Sequence, residues 1–157
     1  MARKSFNEKL NDSKDMPKIV ILDDEKAIDR YGGERMLIAP PLEYHEIMSK
    51  IPEGKLITAK EIREFLANKY DADFTCPLTA GIFISLAAQA SNEREDNKIP
   101  YWRTLKTDGE LNPKYPLGIE YQKDMLEREN HTFYTRGRKN IRYFVEDYED
   151  KLYDLTH

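Results

Sequence analysis

Ile99-Pro100-Tyr101-Trp102-Arg103-Thr104-Leu105-Lys106-Thr107-Asp108-Gly109-Glu110-Leu111 is the stretch whose reading decides the fold. Pro100 leads in with its φ already set, and two aromatic side chains follow directly. Asp108-Gly109 lies between two short runs of alternating side chains, and both residues tolerate the positive φ of a tight reversal. The segment therefore predicts a β-hairpin, or wing, with Pro-Tyr-Trp-Arg at its root.

Upstream, the stretch from Thr75 to Asn92 contains no charged residue, which predicts a largely buried helix with Pro77 in its first turn. Thr79, Gly81 and Ser85 leave that helix a face of small side chains that a partner can approach closely. Before it, Thr58-Ala59-Lys60-Glu61 has the form of a capping box and opens a helix with Ile62, Phe65, Leu66 and Tyr70 as its stripe. Earlier still, Pro41 starts a helix that buries Tyr44, Ile47, Met48 and Ile51 at i, i+3, i+4 and i+7. Two helices, a tight connection, a small-residue third helix and a hairpin make a winged helix-turn-helix.

Downstream, Tyr115-Pro116-Leu117-Gly118 precedes a helix with Ile119, Gln122, Met125, Leu126 and Glu129 on its inner stripe. Ile141, Phe144, Val145, Tyr148, Leu152 and Leu155 then fall at helical spacing, predicting a C-terminal amphipathic helix reached through the basic link Arg136-Gly137-Arg138-Lys139. At the other end, residues 1–16 are polar without periodicity and predict a disordered tail. Residues 17–39 form an extended arm, in which Lys18 to Asp24 is a short apolar run ending in two acids. Such a run resembles the opening of a phospho-receiver domain, but no second strand ending in Asp follows, which leaves a peripheral strand. The fold class is mainly α with a small β-wing, its winged-helix domain spanning 40–132 and its link and last helix 133–157.

Composition narrows the function. With 157 residues, 39% hydrophobic and 34% charged, the chain supports one modest core. A net charge of -4 argues against a general nucleic-acid coating protein, whose affinity comes from many phosphate contacts, while leaving a local basic face open. The single Cys76 excludes an intramolecular disulfide and a Cys-based zinc site, and His45, His131 and His157 form no spacing motif, so neither metal nor cofactor is expected. No apolar run approaches the ~20 residues of a membrane span, and Met1-Ala2-Arg3-Lys4 leads into polar sequence; a cytoplasmic protein with no membrane partner is expected.

Pro100-Tyr101-Trp102-Arg103 followed by Asp108-Gly109 resembles the Pro-Cys-His-Arg segment and wing of the alkylguanine-DNA alkyltransferases. Ile51-Pro-Glu-Gly-Lys-Leu-Ile-Thr58 is similar to the Ile-Pro-x-Gly-x-Val-x-Thr that opens their helix-turn-helix, Tyr115 and Gly118 to their pocket Tyr-x-x-Gly, and Leu126 to His131 to their Leu-x-x-Glu-Gly-His. The chain departs from the family at the centre, with Tyr101 at the nucleophilic Cys position and Trp102 at the activating His position. Alkyltransferase-like proteins, which do not repair, place Trp at the Cys position and keep the His, so this chain is closer to them without sharing their pattern. The resemblance implies a pocket of Pro100, Tyr101, Trp102, Arg103, Tyr115 and Glu129, with Glu129 as the family's triad glutamate. It also implies a third helix in the minor groove of double-stranded DNA, with contacts from Thr58, Ala59, Thr75, Leu78, Thr79 and Arg103. Ala59 and Leu78 stand where the family has its phosphate-twisting Tyr and gap-filling Arg.

Alkyl transfer needs a thiolate beside a base, and a phenol with a pKa near ~10 does not replace it. Cys76, the remaining thiol, lies at a helix start and reads as a small hydrophobe. Arg103 and Glu129 form either an ion pair under the wing or part of a pocket; Tyr101, Trp102 and Tyr115 form either a stacking box or core. Arg136, Arg138, Lys139 and Arg142 are a basic cluster for phosphate, or a solvated charge run. Three functions remain open: a DNA-binding module without alkyl transfer that recognises alkylated or distorted duplex, a protein-interaction domain that kept the fold, or an enzyme using Cys76.

Overall fold

Three helices carry most of the main core, and local signals place each of them. The computed structural model describes residues 4–156; Met1, Ala2 and Arg3 of the expected tail, and His157, lie outside the described residues. Helix α3 (Pro41–Ser49), named here ahead of the shorter elements α1 and α2 that precede it, has Pro41 at its first turn and buries Tyr44, Ile47 and Met48. At the start of α4 (Ala59–Lys69) the Thr58 N–H donates to the Glu61 carboxylate at 3.0 Å, the glutamate half of a capping box. Its Ile62 and Leu66 face inward. Helix α5 (Pro77–Glu93) buries Ala80, Ile84, Ala87 and Ala88, whose small side chains let α3 and α4 pack closely against it.

Short strands tie these helices together in three small sheets. The first orders β1 (Lys18–Ile21), β2 (Arg35–Ile38) and β4 (Phe74–Thr75), with β1 antiparallel to β2 and β4 parallel to it. In the second, β3 (Ile57–Thr58) lies parallel to β5 (Thr104–Leu105), pairing Ile57 with Thr104 and Thr58 with Leu105. The third is the antiparallel hairpin of β6 (Phe133–Arg136) and β7 (Arg142–Val145). Helix α6 (Gly118–Arg128) closes the domain behind the Tyr101–Arg103 turn of 3₁₀ helix. The architecture is thus mixed helix and sheet, where the sequence suggested mainly α with one wing.

Both ends differ from expectation. Residues 4–16 are not a disordered tail, because α1 (Phe6–Leu10) docks on the C-terminal end of α5. Leu10 is buried, the Asn7 side chain donates to Ala90 O at 2.9 Å, and Glu93 accepts the N–H groups of Phe6 and Asn7 at 3.2 and 3.1 Å. A carboxylate holding two free N–H groups at a helix start is an end-cap supplied from 86 residues away. Glu93→Ala is expected to release α1 alone: amide exchange over residues 6–10 should accelerate markedly, with the exchange of α3 to α5 unchanged. The arm over 17–39 is likewise more ordered than expected, with α2 (Glu25–Tyr31) capped by the Asp24 carboxylate between β1 and β2. Their antiparallel pairing disposes of the receiver resemblance, which requires parallel strands.

The expected C-terminal helix is a hairpin followed by a turn of 3₁₀ helix over Tyr148–Lys151. Phe144 and Val145 are adjacent and both buried, the mark of a strand covered on both faces, which periodicity alone does not separate from a helix. The Asp108-Gly109 reversal is present, with Gly109 at φ 87° and Lys106 N–H donating to Glu110 O at 2.9 Å. Its outgoing arm pairs with β7 and not with β5: Leu111 N–H donates to Tyr143 O at 2.9 Å and Val145 N–H to Gly109 O at 3.0 Å. A side chain at Gly109 would meet the Tyr148 ring at 2.4 Å, so this position requires glycine on two counts. Val145 joins Leu56, Leu105, Leu111 and Leu126 in a second apolar cluster, and Trp102 packs against both clusters. The single expected core is therefore two, with the Pro-Tyr-Trp-Arg segment at their junction.

Candidate nucleic-acid interface

The Tyr101–Arg103 turn brings three donors to one carboxylate. Glu129, at the end of α6, accepts Trp102 Nε1–H at 2.8 Å, Arg103 Nε–H at 3.0 Å and Nη2–H at 2.9 Å, and the Gly54 N–H at 3.0 Å. Arg103 Nη1–H goes to Ile51 O at 2.7 Å. With side-chain exposures of 13% for Arg103 and 5% for Glu129, this is a buried, fully paired clamp. Burial pushes the Glu129 carboxyl up, but Arg103, the Gly54 N–H and Trp102 outweigh it and leave the group below its ordinary value of 4.5. Trp102, at the position the resemblance gives to a histidine, thus supplies the N–H a histidine would give this glutamate, without the basic nitrogen. Nearby His131 is buried, which pulls its imidazole below the ordinary value against the opposing charge of Glu129.

The expected pocket residues do converge, as a packed cluster. Tyr101 stands edge-on to Tyr115 at 5.2 Å between centroids and to Trp102 at 5.7 Å, and lies nearly parallel to Tyr121. Tyr101 and Tyr115 are 4% and 3% exposed, leaving no open space between them. Their hydroxyls are satisfied inside, Tyr101 donating to Pro116 O at 3.3 Å and Tyr115 to Thr104 O at 2.8 Å. Burial, helped by Tyr121, pushes the Tyr101 phenol up to about 12, away from any nucleophilic form near neutrality. Beside the cluster lies a recess of about 360 Å³, which Pro100, Tyr101, Trp102 and Arg103 line and Tyr115 and Glu129 do not. Four of the six expected pocket residues thus line one recess, while Tyr115 and Glu129 are packed outside it.

The outward face of α5 has a different character. Leu78 is 72% and Ile82 53% exposed, with Gly81 between them, so the helix expected to be largely buried presents an apolar ridge along its first half. A groove of about 520 Å³ runs between this ridge and the reversal after β5. Ala59, Leu78, Gly81 and Ile82 line one side, while Arg63, Lys106, Lys114 and Arg142 contribute four cations against the carboxylates of Asp108 and Glu110. Glu110 is held by Arg142 at 2.6 Å and Lys106 at 3.6 Å and is thereby kept below the ordinary carboxyl range. The groove is cationic on a chain of net charge -4.

The expected DNA contacts divide accordingly. Ala59 and Leu78 line the groove. Thr58 and Thr75 are buried; the Thr58 hydroxyl contacts Glu61, and the Thr75 hydroxyl donates to Arg63 O at 2.7 Å. Thr79 is half-buried and donates to Cys76 O at 3.4 Å, and Arg103 is committed to the clamp. The polar groups of these four side chains are engaged within the fold. Arg136 lies over the rings of Tyr134 and Phe144, while Arg138 and Lys139 are exposed at the tip of the β6–β7 hairpin, outside the groove lining. Half-buried Cys76 is the residue before α5 and makes no capping bond. Sequence reasoning missed Arg63, Lys106, Lys114 and Ile82. Their signal was faint: lone cations at positions that only folding brings together, and one aliphatic residue in a run that reads as largely buried.

The fold, with Tyr101 and Trp102 set beside the Arg103–Glu129 clamp, has counterparts among solved structures. Among solved structures, S. pombe ATL in complex with DNA shares the fold at a TM-score of 0.51, with 20% identity over 73% of this chain and 94% of that one. S. pombe Atl1 in complex with damaged DNA containing O6-carboxymethylguanine aligns over the same shares at 20% identity and a TM-score of 0.47. No protein-family model matches the sequence, and no curated protein does.

Proposed function

We propose that this chain binds double-stranded DNA as a winged helix-turn-helix module, with α5 and the reversal after β5 as its contact surface and with no alkyl transfer of its own. The observation that carries the reading is the cationic groove beside an uncharged, exposed helix face, on an otherwise acidic protein. Phosphates are attracted to the four cations, and the absence of charge on the ridge lets a groove floor approach it. The complex of the S. pombe neighbour with DNA supports the same assignment. Since a buried phenol replaces the thiol and an indole the base, the protein acts as a reader of duplex and not as a reagent.

Titration of fluorescent duplexes, with and without alkylguanine, at low and moderate salt tests this directly. Salt-sensitive binding is expected, and the paired charge reversals Lys106→Glu and Lys114→Glu should flatten the slope of log affinity against log salt by about 2, one for each phosphate contact removed. Absence of salt-sensitive binding to either duplex would defeat the proposal and favour a protein partner on the same fold. The sealed aromatic cluster adds an expectation: alkylguanine should give little advantage over an equally distorted duplex without the alkyl group.

A further inference from the structure

We infer that Leu78 and Ile82 act as an apolar wedge that unstacks a base step from the minor groove, so that the preferred substrate is duplex DNA with a weakened step, such as a mismatch. The inference rests on the DNA-binding reading and names how the duplex is selected. Three modes of recognition compete on this surface, and two lack the parts they need. A flipped base finds no room between Tyr101 and Tyr115, which are packed edge to face and almost fully buried, and the recess beside them lacks both Tyr115 and Glu129. Readout of base edges needs free donors, yet polar side chains of α5 are engaged by backbone carbonyls: Thr79 by Cys76 O, and Ser85 and Gln89 by Lys114 O at 3.4 and 2.9 Å. What the helix does offer outward is two branched aliphatic side chains one turn apart, with Gly81 between them and open space where its Cβ would be. Apolar side chains inserted between base steps are how minor-groove proteins kink a duplex, at a cost of a few kcal/mol per step that is lowest where stacking is already weak.

The charges on both flanks orient the duplex. Ile82 lines the groove toward the reversal and also a second groove of about 460 Å³ on the opposite side of α5. That second groove is bordered by Lys4, Lys9 and Lys14 against the single carboxylate of Asp12, which pairs with Lys4 at 2.8 Å. Each groove thus has two more cations than carboxylates, and the ridge between them carries none. A surface with cations on two sides of an apolar ridge complements a groove with a phosphate backbone along each edge. It also gives the docked N-terminal segment a use, as the holder of the second strand.

The test uses the full chain, short matched and singly mismatched duplexes carrying 2-aminopurine at the chosen step, and end labels that report bending by energy transfer. Wild-type protein should raise the 2-aminopurine fluorescence, shorten the end-to-end distance, and prefer the mismatched duplex by about tenfold. The double variant Leu78→Ala, Ile82→Ala alters only exposed side chains and should keep a wild-type melting temperature. Its binding to matched duplex should weaken yet keep the wild-type slope of log affinity against log salt, since the cations are untouched, while the fluorescence rise and the mismatch preference are lost. Salt-sensitive binding by the wild type with neither unstacking nor bending would overturn the wedge and leave the DNA-binding proposal standing. An unaltered preference in the double variant would overturn it equally, whereas failure of the wild type to bind any duplex would remove both proposals.

Discussion

Replacing Glu129 with alanine is expected to destabilise the protein by about 3–5 kcal/mol, the usual result of removing one partner from a buried ion pair. The loss exceeds that of a surface pair because the guanidinium of Arg103 is left with only the Ile51 carbonyl, and the N–H groups of Trp102 and Gly54 lose their acceptor. Denaturant unfolding of wild type and variant measures it, and a difference under 1 kcal/mol would mean that the clamp contributes little. The pH dependence follows from the same contacts. The Glu129 carboxyl sits below 4.5 in the folded protein, so its contribution is fully present above that value and is lost as pH falls through the lower folded value. Glu129→Gln should remove that part of the acid-induced loss of stability, while Glu110, shifted in the same direction, keeps its own share.

Tyr101→Ala should cost a similar amount, about 3–5 kcal/mol, as the removal of a large aromatic side chain from a packed core does. Its ring contacts those of Trp102, Tyr115 and Tyr121, and Tyr115 is itself fixed by the Thr104 carbonyl, so the neighbours can only partly collapse into the space. For a chain of this size the melting temperature should fall by roughly 10 °C or more. A fall of only a degree or two would indicate that the ring is not the filler of the site, and would reopen the question of a base pocket. Salt-sensitive DNA binding of any folded fraction should persist, because the contact surface lies along α5 and not at this cluster.

Much of the frame was legible because its causes are local. The stripe Tyr44, Ile47 and Met48, the Thr58-to-Glu61 cap and the Gly109 reversal each follow from residues within about two turns of one another. The Arg103 to Glu129 pair was also in view, though as one of two readings, because a resemblance placed both residues at matching positions. Other parts had a weak local signature or none, Ser5 and Glu8 forming a capping box on a helix too short to read. Helix α1 has only five residues and depends on the carboxylate of Glu93, and the β6–β7 hairpin shares its apolar spacing with an amphipathic helix. The interface cations lie at positions 63, 106, 114 and 142 and meet only when the reversal folds over α5.

By itself the sequence determined what chemistry Tyr101 and Trp102 lack: a phenol and an indole, set where the resemblance expects a thiol and an imidazole, carry neither a thiolate nor a base, whatever the chain folds into. Only the tertiary structure decided that these rings pack against one another and Tyr101 against Tyr115, that Leu78 and Ile82 face outward, and that scattered cations line the grooves beside them. Functional-group chemistry belongs to a residue and can be read one letter at a time, whereas occupied volume and local field are sums over neighbours that the chain order does not reveal.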